Sequence, residues 1–292
     1  MSDIEVPAAL AATQIRYEGE AGRAFIAALP GLAAEMLGRW GLTVDGPSMH
    51  GMAALVLPVR RPDGTPAALK LQALNEESAG EAEALRAWAG LGAVHVLDYA
   101  PENGSLLLER LDSGRSLDDE PDVRQGVLTI AGLLARFTAV PAPAGMRRLA
   151  DIAAEMVARA PDALLAVADP ADRRLVADCA AAVREVCGEP GGALLHWDLH
   201  FENVLAGRGG WVAIDPKPLA GDPGFDLWPA LNNRFDPADV QWRFDAMTEA
   251  MGLDRERARA WTLGRVLQNA LWALADGDAL DEDDLVVARL LR

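Results

Sequence analysis

The sequence contains very little lysine and no long apolar run. Of its 292 residues 27 are basic, and only Lys70 and Lys217 are lysines. No uninterrupted apolar stretch reaches the ~18 residues of a membrane span, and the first residues lack the basic and apolar regions of a secretory leader. We therefore expect a cytoplasmic protein without a membrane partner.

Cysteine is too rare to build a disulfide framework. The chain has two, Cys179 and Cys187, and both lie in an alanine-rich segment of helical character. A chain of this length can bury an adequate apolar core without covalent cross-links. We expect both thiols to be reduced and to have a structural role.

Basic residues are fewer than acidic ones, 27 against 44, and the formal net charge at pH 7 is -17. Such a charge disfavours nucleic acid and anionic membranes as partners and suits a cationic ligand. The acidity could instead serve solubility alone, and composition by itself favours that interpretation.

The hydrophobic pattern changes near residue 111. Before it, apolar residues at helical spacing over 22–40 predict a helix that Pro30–Gly31 breaks into two pieces. Short apolar runs separated by turn residues then predict a mostly antiparallel sheet with a helix over 76–90. After it, helical spacing dominates and is interrupted by a short strand pair around 204–214. The pattern predicts an α+β protein with a β-rich part over 1–111 and an α-helical part over 112–292. The predicted strands are 42–46, 52–59, 67–71, 94–100 and 105–111. The predicted helices of the second part are 122–140, 149–168, 171–187, 223–232, 237–251, 255–275 and 281–291.

The strongest chemical signal lies in the second part. Asp198 and Asn203 belong to a His-x-Asp-x-x-x-x-Asn pattern, and Asp215 ends a short apolar run twelve residues later. Kinase phosphoryl transfer uses one carboxylate to orient the attacking hydroxyl and accept its proton, and an amide and a second carboxylate to hold Mg²⁺ against the phosphates. We predict Asp198 as the catalytic base and Asn203 and Asp215 as magnesium ligands.

Lys70 follows a predicted hairpin turn, in a chain that otherwise uses arginine for positive charge. A compact ammonium group on this strand can contact the α- and β-phosphates of ATP. Its carboxylate partner on the next helix is Glu81 or Glu83. Glu81 is favoured because it lies beside the apolar face formed with Leu85 and Trp88.

Two further ATP contacts are predicted from position. The loop 46–51, with Ser48 and Met49 at its centre, precedes Lys70 and can turn backbone N–H groups towards phosphate oxygens. The carbonyl of Glu109 and the N–H of Leu111 end an apolar strand and are expected to bind the adenine edge. The first part is therefore predicted to be a nucleotide-binding lobe (1–111), and the second a catalytic and substrate-binding lobe (112–292).

Three supporting residues surround the main motif. His196 is expected to be buried and to brace the loop, His200 to support the phosphates or the loop, and Asp226 to cap a helix or anchor the catalytic loop. The order of elements and these motifs together predict a two-lobed protein-kinase-like fold.

The chain resembles the aminoglycoside/hydroxyurea antibiotic resistance kinase family, a group of aminoglycoside phosphotransferases, from about residue 20 onwards. The resemblance implies ATP- and Mg²⁺-dependent phosphorylation of a hydroxyl on a small molecule, with a cationic aminoglycoside of the streptomycin type as the expected substrate. It also implies the roles given above to Asp198, Asn203, Asp215, Lys70 and Glu81. The segments that carry it are 194–205, 211–218 and 221–227, with the helix 81–92 and the strand 106–112.

Other functions share parts of this pattern. Only ten residues separate Asp215 from Asp226, which is too few for the long activation segment of a protein kinase. A kinase of hydroxyurea or of another small alcohol or amine, and a nucleotide-binding module without activity, stay open. Six carboxylates within 276–284 either form a rim for a cationic substrate or mark the start of a helix.

Overall fold

The computed structural model describes residues 4–292, which form two units. The first unit ends at Gly90 and includes Val94–Leu111, and the second comprises Leu91–Ala93 and Asp112–Arg292. The border after Leu111 falls where the hydrophobic pattern changes. Residues 91–93 were not expected in the second unit; there the Ala213 N–H donates to the Gly92 carbonyl. The functions assigned to the two parts stay predictions.

The first unit is built on an antiparallel sheet of six strands. Its order is β1-β3-β4-β6-β5, and β2 pairs with β3. Leucines on β3 and β4 point into an apolar core that a long helix, α1, covers from one side. The elements are α1 (Ala8–Arg39), β1 (Thr43–Val44), β2 (Met49–His50), β3 (Ala54–Arg60), β4 (Pro66–Gln72), α2 (Glu81–Ala87), β5 (Val96–Ala100) and β6 (Ser105–Glu109).

Helix α1 differs from the expected pair of helices broken at Pro30–Gly31. It continues through Pro30 and is kinked instead at Gly19, whose φ is 56°. The helix continues beyond Pro30 because residues on both sides of the proline are fully buried in the core. These residues are Leu29 before it, and Ala33 and Met36 after it. The segment before Gly19 was not predicted as helix, since its apolar residues follow no sustained helical spacing.

The second unit is mainly helical, as predicted. Six of its helices agree with the predicted ranges within about three residues, which is the usual uncertainty of helix ends predicted from sequence. The prediction for 223–232 was wrong in its first half, where a 3₁₀ turn at Pro223–Asp226 precedes a short helix. The helices are α3 (Val123–Phe137), α4 (Leu149–Ala166), α5 (Pro170–Val186), α6 (Trp228–Asn232), α7 (Val240–Met251), α8 (Arg255–Asp276) and α9 (Glu282–Leu291).

Five short strands complete the second unit. The hairpin of β9 and β10 corresponds to the predicted strand pair, whereas β7, β8 and β11 were not predicted. Strand β7 joins the hairpin through β9, and β8 pairs with β11. The strands are β7 (Asp112–Ser116), β8 (Ala193–Leu195), β9 (Val204–Gly207), β10 (Gly210–Ala213) and β11 (Leu219–Gly221).

Both cysteines are free thiols, as expected. Burial raises the pKa of Cys179 to about 12, which keeps this thiol protonated at neutral pH. Among residues 4–292, every helix falls short of the length and apolarity that a bilayer crossing requires.

A close contact in the second unit supports the segment that contains the main motif. A Cβ atom on Gly126 of α3 would lie 2.4 Å from the buried Phe201 ring. Gly126→Ala should therefore displace Phe201 and lower the free energy of unfolding by ~1–3 kcal/mol, the usual cost of overpacking. Urea unfolding measures the change.

Gly132→Ala, on the same helix, is the matched control. Its Cβ would have no neighbour closer than Arg136 Nη1 at 4.0 Å. Replacing a mid-helix glycine by alanine should stabilise the protein by ~0.5–1 kcal/mol. Equal effects of the two substitutions would contradict the proposed clash.

Candidate active site

The segment after β8 is fixed by one buried carboxylate. Asp226 has no solvent exposure, and its two oxygens accept the backbone N–H groups of His196, at 2.8 Å, and of Trp197. Burial raises the pKa of Asp226 to about 7, although the two N–H groups and Arg265 act to lower it. Asp226 therefore anchors the loop, and the capping role belongs to Asp222, which accepts from the Gly224 N–H.

Trp197 turns the chain towards Asp198. Its φ is 65°, a left-handed conformation that is uncommon for a large side chain. The guanidinium groups of Arg147 and Arg265 lie 4.5 and 4.7 Å from its ring centroid, and the Trp272 ring meets it edge-on. These contacts, with the bond to Asp226, hold a backbone conformation that would otherwise be strained.

The His196 ring braces the loop, as predicted. It stacks on Phe137 and contacts the Ile214 carbonyl through Nε2 at 3.1 Å, while Nδ1 lies 3.4 Å from the Asp198 N–H. Nε2 therefore carries the proton and donates, and Nδ1 accepts. Burial lowers the pKa of His196 to about 4, against the raising effect of the Asp198 and Asp215 carboxylates. A neutral His196 thus links the two segments that carry these acids.

The depressed pKa of His196 predicts a pH-dependent contribution to stability. An unfolded histidine binds a proton near pH 6.5, whereas the folded one stays neutral until about pH 4. The contribution of neutral His196 to stability is therefore present above about pH 6.5 and is lost as the pH falls towards 4. His196→Asn should lower the free energy of unfolding relative to wild type at pH 7. This difference from wild type should shrink by roughly 2–3 kcal/mol as the pH falls from 7 to 4.5.

Urea unfolding of both proteins without nucleotide or Mg²⁺ tests this expectation. His95→Asn is the control, because the His95 side chain is exposed, and it should stay within ~0.5 kcal/mol of wild type. A His196→Asn deficit that is constant or grows on acidification would contradict the neutral, buried histidine.

Asn203 and Asp215 are connected to Asp198 by hydrogen bonds and chain geometry. The Asn203 side-chain amide donates to the Asp198 carbonyl at 2.9 Å, and the Asn203 carbonyl accepts from the Ile214 N–H at 2.9 Å. Asp215 follows with a φ of 58°, so the chain turns sharply at this carboxylate. All three predicted residues of the main motif thus lie within one hydrogen-bonded framework of the second unit.

The donor set fits a hard cation. The side-chain NH₂ group of Asn203 donates to the Asp198 carbonyl, so the side-chain oxygen Oδ1 of Asn203 is the atom left to bind a cation. Asp215 offers carboxylate oxygens. Within 4–292 no group of three or more His, Cys, Asp or Glu side chains could hold a metal by itself. Magnesium at Asn203 and Asp215 would need phosphate oxygens and water to complete its shell, as is usual in kinases.

Lys217 was not assigned a role from the sequence, although lysine scarcity pointed to it. Its ammonium nitrogen lies 3.1 Å from Oδ2 of Asp198. The signal that could have identified Lys217 is that one of only two lysines in the chain stands two residues after Asp215. The sequence did not reveal that the side chain reaches Asp198.

Lys70 in the first unit pairs with Glu81 and not with Glu83. Its ammonium lies 2.7 Å from Oε1 of Glu81, and Gln72 donates to the other oxygen. Lys70 is 4% exposed and Glu81 1%, whereas Glu83 is exposed. A buried ion pair with a further hydrogen bond keeps the ammonium of β4 in a fixed position. Its role in ATP binding stays a prediction.

The loop predicted to cover the phosphates is partly strand. Met49 begins β2 and is paired with Val56 of β3, and the Ser48 hydroxyl donates to the Glu5 carbonyl at 3.0 Å. Pairing with β3 extends the sheet into this segment, so the turn between these two strands lies later, where the Gly51 N–H donates to the Ala54 carbonyl. The ATP contacts of Ser48 and Met49 stay predictions.

The predicted adenine contacts lie at the end of β6. Glu109 is paired with Ala67 of β4, its N–H donates to the His95 carbonyl, and its carboxylate accepts the His95 N–H. Leu111 follows two residues later and is half-buried. Glu109 is thus held in the sheet, while the role of both backbones in adenine binding stays a prediction.

Several acids of 276–284 have structural partners. Asp281 caps α9 by accepting the N–H groups of Asp283 and Asp284, and Glu282 pairs with Arg289. Asp284 is 6% exposed and accepts from Asn269, and burial raises its pKa to about 7. These contacts fit the start of a helix, and a substrate rim formed by the remaining acids stays a prediction.

Comparison with known proteins identifies the family of the chain. The profile of the family described as aminoglycoside/hydroxyurea antibiotic resistance kinase matches residues 39–277. A hydroxyurea phosphotransferase from Kitasatospora aureofaciens is 60% identical over 99% of this chain and 86% of its own length. A streptomycin 6-kinase from Streptomyces glaucescens is 54% identical over 99% of this chain and 97% of its own. The predicted family resemblance is confirmed.

Solved structures show the same fold at low sequence identity. The aminoglycoside phosphotransferase APH(4)-Ia, as a thermostable mutant in a ternary complex with AMP-PNP and hygromycin B, has a TM-score of 0.61. It is 16% identical, and the match covers 88% of this chain and 95% of that one. The predicted α+β, protein-kinase-like fold is confirmed.

Proposed function

Because the chain belongs to the aminoglycoside/hydroxyurea antibiotic resistance kinase family, we propose that it uses ATP and Mg²⁺ to phosphorylate a hydroxyl group of a streptomycin-type aminoglycoside. Modification of the antibiotic would confer resistance. A cytoplasmic location is part of the proposal. The observation that carries it is the framework of His196, Asp226 and Asn203 that holds the backbone of Asp198 in place.

Each residue has a distinct part in the proposed reaction. Asp198 orients the acceptor hydroxyl and takes its proton while the new O–P bond forms and the bond from phosphorus to the ADP oxygen breaks. Asn203 and Asp215 would hold Mg²⁺, which when bound neutralises charge on the phosphates. Lys70, fixed by Glu81, would bind phosphate oxygens. Backbone groups of Ser48, Met49, Glu109 and Leu111 would complete ATP binding.

The substrate class is supported by charge. The chain carries a net charge of -17, and streptomycin carries strongly basic guanidino groups. Long-range attraction raises the local concentration of such a cation, and salt screens it. The streptomycin 6-kinase at 54% identity supports the same assignment.

A second candidate is a hydroxyurea phosphotransferase. The observation that favours it is the 60% identity to the relative of that name. Hydroxyurea is small and uncharged, so it gains nothing from the acidic surface. This difference allows one experiment to separate the two substrates.

The test is a coupled ADP-release assay with streptomycin and hydroxyurea at low and high ionic strength. We expect streptomycin to have the higher kcat/KM and its KM to rise with salt, while the KM for the neutral acceptor stays constant. Mass spectrometry and ³¹P NMR of the product identify the modified hydroxyl. Robust turnover of hydroxyurea without phosphorylation of streptomycin would establish the second candidate instead.

The magnesium ligands are tested separately. Asn203→Ala and Asp215→Asn should each raise the Mg²⁺ concentration for half-maximal activity at least ~10-fold, a loss typical even of residues that only support a ligand. Asp162→Asn, on an exposed site of α4, removes one negative charge and serves as the control. Unchanged magnesium titrations for both variants would remove Asn203 and Asp215 from the metal site.

A further inference from the structure

Lys217 makes an ion pair with the residue proposed as the base. Its Nζ lies 3.1 Å from Oδ2 of Asp198, and the two side chains are 42% and 24% exposed. An ion pair that is open to solvent contributes little to folding stability, with typical values of ~0–1 kcal/mol. A contribution to stability alone therefore gives little reason for this contact.

The backbone around Lys217 is fixed independently of its side chain. Its N–H donates to the His196 carbonyl at 3.0 Å, and the preceding Pro216 is buried and has a restricted φ. Because Asp226 anchors His196 in turn, Lys217 begins from a defined point beside the loop. Only its flexible stem has to be ordered for the ammonium group to reach Asp198.

The choice of lysine at this position is informative. Arginine accounts for 25 of the 27 basic residues. An ammonium group is a compact charge that can hold one carboxylate oxygen, whereas a planar guanidinium tends to engage both oxygens of a carboxylate. A lysine that contacts Oδ2 of Asp198 does not itself have to occupy Oδ1.

We propose that Lys217 is a positioning residue that acts through Asp198. The ammonium group holds Oδ2, so that Oδ1 faces the acceptor hydroxyl and receives its proton during transfer. Lys217 keeps its own protons throughout and makes no covalent bond. The inference rests on the proposed function in one respect, the assignment of Asp198 as the base.

The first test is a set of single substitutions. Lys217→Met keeps the length of the stem and removes the charge, and it should lower kcat about 10- to 100-fold, the range expected from a small misplacement of a reacting group. The KM values for ATP and acceptor should change less than about threefold, since uniform binding is retained. Lys217→Arg restores the positive charge but can engage both oxygens of Asp198, so it should recover only a minor part of the loss in kcat.

Arg208→Met is the matched control, because it removes one positive charge from an exposed site in the same unit. Its kcat should equal that of wild type. Equal losses for Arg208→Met and Lys217→Met would show a general charge effect and overturn the positioning role.

The second test is a double-mutant cycle with Asp198→Ala. If Lys217 acts through Asp198, adding Lys217→Met to Asp198→Ala should lower kcat by less than about twofold, because coupled residues give non-additive losses. Losses that multiply would show that Lys217 acts on the phosphoryl group or the acceptor by itself, and the proposal would be wrong.

Failure of the substrate assignment can be recognised separately. Wild-type protein is assayed first with streptomycin, with hydroxyurea and without acceptor, where slow ADP release reports transfer to water. If neither compound is phosphorylated, the proposed substrate is wrong, but the comparison of Lys217→Met with wild type can still be made on ADP release. An unchanged rate of ADP release in Lys217→Met overturns the positioning role whatever the acceptor.

Discussion

Asp198→Ala should lower kcat by ~10²–10⁴-fold, the usual contribution of a positioned general base, while the Kd for ATP changes little. The expected selectivity follows from the site, because the backbone of Asp198 is held through His196 and Asn203 independently of its carboxylate. Single-turnover kinetics measure the chemical step, and calorimetric titration with AMP-PNP measures nucleotide affinity. If Asp198→Ala keeps more than about a tenth of wild-type kcat, the loss is too small for a general base, and the assignment of Asp198 is wrong.

Asp162→Ala is the charge-matched control, since it removes an exposed carboxylate from the same unit. Its kcat and its KM for streptomycin should stay close to wild type. A similar loss in both variants would indicate a response to net charge and not to the position of one carboxylate.

Glu81→Gln should lower the free energy of unfolding by ~3–5 kcal/mol, because it removes the negative charge of Glu81 from a buried ion pair. The ion pair at 2.7 Å involves side chains that are 6% and 2% exposed. Glu83→Gln, two residues away on the exposed face of α2, should cost less than ~0.5 kcal/mol. Urea unfolding without nucleotide measures both, and equal losses would contradict the selective pairing.

The double substitution Lys70→Met with Glu81→Leu separates stability from function. An apolar pair of similar volume often restores the stability lost when one partner of a buried pair is removed, so much of the deficit should be recovered. ATP binding should not return, because Lys70 is then absent. Recovered ATP affinity would remove Lys70 from the phosphate site.

The sequence was sufficient to predict the helices of the second unit, since long amphipathic segments carry many apolar positions each. It was insufficient for β8 and β11, which are three residues long and owe their pairing to partners distant in the chain. Strand β7 is polar and mostly exposed. Its conformation therefore depends on hydrogen bonds to β9, which no local pattern records.

The candidate site divides in the same way. That Asp198, Asn203 and Asp215 lie in one framework was predictable because phosphoryl transfer requires these groups at a characteristic spacing, while their roles stay predictions. The contacts of Lys217 and of the arginines around Trp197 were not, since tertiary packing creates them. The choice between Glu81 and Glu83 needed the side-chain direction at the start of α2, which spacing only suggests.

The two lysines differ in accessibility, and this makes the chain suited to amine-directed labelling. Lys70 is buried, whereas the Lys217 side chain is 42% exposed beside Asp198. Reductive methylation with ¹³C-formaldehyde preserves the positive charge, so apart from the chain's amino terminus it should mark Lys217 preferentially. The methyl resonance at that position would then report acceptor binding next to Asp198 in a protein with no substitution.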